Sequence, residues 1–124
     1  MIIASLFVLW LLQTSITVAP ANSIRIIDGD TVALGNERIR IENIDTPERG
    51  ARAECDAERM LASVASRELE SLLGGRAVQI ERSGRDRYGR TLARLRVNGA
   101  DVGAAMVELD VAVPWAGRTH DWCR

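Results

Sequence analysis

Between Ile24 and Ile44, three short apolar alternations are separated by pairs of turn residues, and this pattern restricts the fold more than any other in the chain. In "IRIIDGDTVALGNERIRIENI", Ile24 and Ile26 flank Arg25, while Ile39 and Ile41 alternate with Arg38, Arg40 and Glu42. A period of two sends neighbouring side chains to opposite faces of a strand. Asp28-Gly29 and Gly35-Asn36 are tight-turn pairs, so the stretch predicts three consecutive antiparallel strands.

The period then changes. In "AECDAERMLASVASRELESLLGG", Ala57, Leu61, Val64 or Ala65, Leu69 and Leu72 recur at helical spacing, and Gly74-Gly75 supplies a stop. "RAVQIER" and "TLARLRV" read as two further strands joined by the charged turn "SGRDRYGR". Asn98-Gly99 marks another turn before a short helix through Val102, Met106 and Leu109. A chain of 124 residues makes one domain with a modest core. The expected class is mainly β with helices (α+β). Its form is a five-stranded OB-type Greek-key barrel, with one longer helix after strand 3 and a short helix near the C-terminus.

The first 23 residues carry no charged side chain. Ile2–Leu12 is an apolar run of signal-peptide length, polar residues follow, and Ala19-Pro20-Ala21 has the A-x-A form of a cleavage site. Residues 1–21 are therefore expected to be a signal peptide and residues 22–124 an exported domain, periplasmic or secreted. The alternative is an uncleaved membrane anchor facing outward, although the run is short of the ~20 residues that span a bilayer. Cys55 and Cys123 suit a single disulfide in an exported chain, or else two unrelated buried thiols. A cysteine–histidine metal site is not expected, because His120 is the only histidine.

Sixteen basic residues, all arginine, face 17 acidic ones, a formal net charge of −1. Attraction of nucleic acid by the whole molecule is excluded, so any anion binding must be local. Arginine's planar donor fork suits phosphate, although a compositional bias explains the absence of lysine equally well.

Three short motifs could carry chemistry, and each has a plain structural reading. "DGDT", with Asp28 and Asp30 around Gly29, is a hairpin turn that could also hold a carboxylate at the mouth of a barrel. "IDTPE", Ile44 to Glu48, reads as a helix start capped by Asp45, with Pro47 in the first turn. "DRYGR", Asp86 to Arg90, is a turn opening a strand whose arginine would ordinarily be solvated, as would Arg40.

Their order and spacing together resemble the staphylococcal nuclease (thermonuclease) family, over about residues 24–115. The resemblance rests on Ile27-Asp28-Gly29-Asp30-Thr31, on Arg40 with Asp45-Thr46-Pro47-Glu48, and on Asp86-Arg87-Tyr88-Gly89-Arg90. It implies an OB-barrel phosphodiesterase that uses Ca²⁺ to hydrolyse DNA and RNA with low sequence specificity. By the same resemblance Asp30 and Asp45 are calcium carboxylates, and Thr46 adds a backbone carbonyl. Asp28 lies beside the metal, acting through water. Glu48 positions or deprotonates the attacking water, and Arg40 and Arg90 clamp the scissile phosphate. Tyr88 is a substrate-side contact or a packing residue. The implied partner is a nucleic-acid substrate, single-stranded DNA or RNA favoured. A monomer with no protein partner is expected, with membrane contact only if the N-terminal segment is uncleaved.

Elementary chemistry agrees with these roles. Ca²⁺ takes oxygen ligands and keeps waters where carboxylates are few. A metal so held polarises a phosphate and orients a nucleophile, while guanidiniums bind charge as it builds on the equatorial oxygens.

The chain departs from the family in two places. The segment after Glu48, "RGARAECDAER", is shorter and less basic than the corresponding substrate-side loop. After Trp115 a short tail, "AGRTHDWCR", is expected where members often carry a long helix with an aromatic platform. A Cys55–Cys123 disulfide would anchor that tail, with Trp115 and Trp122 packing in core and tail. The competing function is a catalytically weak or inactive module of the same barrel that binds single-stranded nucleic acid. Loss of Asp30, Arg40, Glu48 or Arg90 would have favoured it, and all four are present.

Overall fold

The computed structural model describes residues 15–124, so the expected signal run Ile2–Leu12 lies outside the described residues. Nine strands and two α-helices follow one another among the described residues. The strands are β1 (Ser15–Pro20), β2 (Ile24–Asp28), β3 (Thr31–Leu34), β4 (Glu37–Ile41), β5 (Ile44–Asp45), β6 (Ala77–Arg85), β7 (Thr91–Val97), β8 (Ala100–Asp101) and β9 (Val113–Pro114). The helices are α1 (Asp56–Leu73), between β5 and β6, and α2 (Val102–Glu108), between β8 and β9. The five predicted strands are β2, β3, β4, β6 and β7, and the two predicted helices are α1 and α2.

The main sheet runs β1-β6-β7-β4-β3-β2, with β8 added to β7, while β5 and β9 form a separate pair. It curls into a half-barrel of OB-like form. Every pairing is antiparallel except one: β4 lies parallel to β7, with Arg40 beside Leu92. Val32, Ile39, Ile41, Val78, Ile80 and Leu95 meet Ala65, Leu69 and Leu73 of α1 and Val102 and Met106 of α2 in one core.

The phase of α1 differs from the periodicity reading. Ala62, Ala65, Leu69 and Leu73 are buried, whereas Leu61 is 40% exposed. Small residues face inward because the β2–β3 turn comes close. A Cβ on Gly29 would stand 2.8 Å from the Ala65 Cβ and 2.9 Å from Thr46 Oγ1, so only glycine fits there. Asp28 pairs with Thr31, which makes Gly29 and Asp30 the central turn residues and sinks Asp30 into the protein.

"IDTPE" does not open a helix. Ile44 and Asp45 form β5, residues 46–49 are irregular, and α1 begins only after Cys55, whose sulfur accepts the Glu58 N–H. Among the described residues no helix is long and apolar enough to cross a membrane.

The expected cleavage position, Ala19–Ala21, coincides with the end of β1. All six residues of β1 pair with β6, and Ala19 is 6% exposed. A chain starting at Asn22 loses that ladder, at a cost of a few kcal/mol by ordinary hydrogen-bond values. Its thermal midpoint is expected about 10 °C below that of a chain starting at Ser15, as read by circular dichroism.

Candidate active site

The buried turn at Asp30 and the short strand β5 bring two carboxylates to the same end of the half-barrel. Asp30 is 6% exposed and Asp45 3%. Thr31 Oγ1 donates to Asp30 Oδ1 at 3.0 Å, and the Thr46 N–H donates to Asp30 Oδ2 at 3.3 Å. On the other side the His120 N–H donates to Asp45 Oδ2 at 2.8 Å. Arg40 Nη2 reaches between them, 3.6 Å from Asp30 Oδ2 and 3.9 Å from Asp45 Oδ1. Its Nη1 donates to the Ile41 carbonyl, and its guanidinium stands 5.2 Å from the Trp115 ring centroid.

Arg40 is the guanidinium paired with Asp30 and Asp45, while Arg49, Arg52 and Arg90 act on Asp28 through their charge. Burial raises the Asp28 carboxyl, and the charge of Asp30 raises it further. Asp45 is also raised, chiefly by burial, with the His120 N–H opposing and Asp30 adding to the rise. Glu48 is pushed up to about 6 by burial, then by Asp30 and Asp28. Asp28 Oδ1 and Thr46 Oγ1 are buried without hydrogen-bond partners among the described residues. A buried all-oxygen donor set with an orphaned carboxylate oxygen fits a hard cation such as Ca²⁺. Asp30, Asp45 and Thr46 are the residues that would hold it, with Asp28 alongside.

The loop bearing Glu48 is fixed by a residue that sequence reasoning did not single out. Glu58, in the first turn of α1 and 4% exposed, accepts the Glu48 N–H at 2.9 Å and the Glu54 N–H at 2.8 Å. A buried carboxylate satisfied by two backbone donors holds its loop rigidly. The signal available was a glutamate on the helix's apolar side, one residue from the expected stripe.

Arg90 is set by Asp86 of the same motif. The Asp86 carboxylate takes the Tyr88 N–H at 2.9 Å, the Arg90 N–H at 3.0 Å and Arg90 Nε at 2.8 Å. Although burial opposes it, those bonds hold the Asp86 carboxyl below its ordinary range. The terminal nitrogens of Arg90 have no hydrogen-bond partner among the described residues and face a cleft. Tyr88 is 67% exposed, with its ring 5.6 Å from the Arg90 guanidinium. That exposure argues against packing.

The cleft, about 1210 Å³, gathers Asp28, Asp30, Arg40, Asp45, Glu48, Tyr88 and Arg90 along one wall-to-wall surface. Thr46 lies behind it, 1% exposed. Trp115 corrects the sequence reading: it is 43% exposed, lines the cleft and is not a core residue. Trp122 stays in the tail, its ring 4.6 Å from that of His120. Cys55 and Cys123 are joined in a disulfide.

A family model for staphylococcal nuclease homologues matches residues 38–120. The chain is 35% identical over 98 residues to a succinoglycan biosynthesis protein, ExoI, of Rhizobium meliloti, covering 71% of this chain and 48% of the relative. It is 33% identical over 94 residues to an uncharacterized endonuclease of Escherichia coli, covering 72% and 56%. A second uncharacterized endonuclease, from Haemophilus influenzae, is 28% identical over 103 residues, covering 79% and 53%. The chain thus spans about half the length of the curated relatives it matches.

The charge balance makes Glu48 a reporter of the site. Its folded-state value near 6 lies above the ordinary 4.5, so its proton is held more tightly folded than unfolded. The stability this contributes is fully present below about pH 4.5 and lost as pH rises through about 6. Carbon-detected NMR of the metal-free protein is expected to show a Glu48 midpoint near 6. Added Ca²⁺ is expected to lower it, because a nearby cation favours the carboxylate.

Proposed function

The chain belongs to the staphylococcal nuclease homologue family, and from that membership and the site's geometry we propose a calcium-dependent phosphodiesterase that cuts DNA or RNA with low sequence specificity. One observation carries the reading. Buried Asp30 and Asp45 converge within 4.0 Å of Arg40, in the cleft that also holds Glu48 and Arg90. Endonucleases among the relatives point the same way.

When bound at Asp30, Asp45 and Thr46, Ca²⁺ would supply Lewis-acid polarisation of the phosphate. The remaining work belongs to the chain's own residues. Arg90, braced by Asp86, offers its free Nη1 and Nη2 to a phosphate oxygen. Arg40, backed by the Ile41 carbonyl, presents a second guanidinium in the same cleft. Both contacts strengthen as charge accumulates on the equatorial oxygens. Glu48, ionised above about pH 6, accepts a proton from the attacking water at its carboxylate, while Glu58 keeps its backbone in place.

The cleft's groups address backbone charge and base faces, which supports low sequence specificity. Exposed Trp115 and Tyr88 suit unstacked bases, so single-stranded substrates are favoured. The same reading takes the protein as a monomer. Export belongs to the same reading, supported by the disulfide and the uncharged N-terminal segment.

The test uses single-stranded DNA with calcium and then with chelator. Cleavage is expected only with calcium, and cleavage indifferent to chelator would sink the metal role. Glu48→Gln and Arg90→Ala are each expected to lower kcat by about 10²-fold or more. Calcium is expected to raise the thermal midpoint of the unaltered protein and not that of Asp45→Asn.

A further inference from the structure

Between Pro114 and the last described residue the chain contributes neither helix nor strand, yet Trp115, Gly117, Arg118 and Thr119 line one wall of the cleft. Three ties keep them there. The Trp115 N–H donates to the Asn43 carbonyl at 3.0 Å, the His120 N–H donates to Asp45 at 2.8 Å, and Cys123 is bonded to Cys55. The last tie joins positions 68 apart in sequence, and Cys55 is the residue that caps α1. A segment with so few backbone hydrogen bonds opens readily unless something pins it. Here the pin is covalent.

Within this wall, Gly117 has φ +83, a left-handed conformation that glycine adopts freely, and the next residue, Arg118, lines the cleft. Arg118 has no ion pair and no side-chain hydrogen bond among the described residues. In that it differs from Arg40 and Arg90, each committed to a carboxylate. An unpaired guanidinium facing an anion-binding cleft keeps its whole donor fork for a ligand.

Resting on the nuclease reading, we propose that Arg118 is a further substrate-binding residue, contacting a backbone phosphate of the bound strand away from the bond that is cut. It is presented by the disulfide-pinned tail and not by the barrel. The Cys55–Cys123 bond thereby acts on substrate affinity as well as on stability.

The experiment pairs kinetics with binding. Steady-state cleavage of a single-stranded oligonucleotide with calcium is measured for the unaltered protein, Arg118→Gln, Arg118→Lys and Cys55→Ser/Cys123→Ser. Arg118→Gln is expected to raise KM about three- to tenfold with kcat within about twofold. The slope of log affinity against log salt should fall by about 0.7, the share of one phosphate contact on a single strand. Arg118→Lys should recover most of the slope, because it keeps the charge.

The double cysteine variant should show the same KM rise, and adding Arg118→Gln to it should change KM no further. Circular dichroism checks its fold; if it is unfolded, the Arg118 variants alone decide. An unchanged KM and salt slope for Arg118→Gln overturns the proposal. Oligonucleotide binding read by fluorescence anisotropy separates the two readings. A protein that binds without cutting defeats the nuclease reading, while the Arg118 effect still shows in affinity and salt slope. A protein that neither binds nor cuts defeats both.

Discussion

Four carboxylates line one end of the half-barrel, and burial together with repulsion makes three of them costly to ionise. Asp28, Asp45 and Glu48 are all raised, with burial the largest cause and Asp30 contributing to every one. Much of the local structure answers that repulsion. Backbone N–H groups of Thr46 and His120 are turned onto Asp30 and Asp45, and the single guanidinium of Arg40 is drawn between them. Removing one partner from such an arrangement leaves a buried charge uncompensated, which typically costs several kcal/mol. Strain of this kind persists only where surrounding structure over-determines it, and it collects at sites that bind ions or do chemistry.

The fold was largely legible because its signals are local. Period-two alternation and the Gly35-Asn36 turn mark β2 to β4, and the Asn98-Gly99 turn marks the end of β7, although the two-residue β8 that follows it carries no signal of its own. The existence of α1 was equally clear, but its phase was not. Leucine positions pointed to Leu61 and Leu72, whereas the tight approach of Gly29 selects alanine at position 65 and turns Leu61 outward. That contact joins residues 36 apart, and nothing in the helix's own sequence announces it. The capping reading of "IDTPE" failed for a similar reason, since Ile44 and Asp45 are recruited by β9 from the far end of the domain.

For the site, the legible part is which side chains share the cleft: Asp30, Arg40, Asp45, Glu48 and Arg90. The illegible part works through backbone atoms or distant partners. Glu58 acts on two loop N–H groups, Asp86 on the Tyr88 and Arg90 N–H groups as well as on Arg90 Nε, and His120 reaches Asp45 through its backbone N–H. Trp115 is expected to pack in the core, but it lines the cleft beside Arg40, a residue 75 positions earlier. Side-chain chemistry can be read from letters. The geometry that aims it is written in contacts between letters far apart.

The parallel pairing of β4 with β7 has a further consequence. It sets Arg40 beside Leu92, and so Arg40 and Arg90, 50 positions apart in the chain, line the same cleft. Contacts so remote in sequence close late in folding, after the entropy of a long loop has been lost. No shorter or half-folded stretch of this chain brings both guanidiniums to one phosphate. On the proposed nuclease reading, a ribosome-bound or unfolded copy is chemically silent towards the nucleic acid around it, and the potential to cut arrives together with the completed sheet.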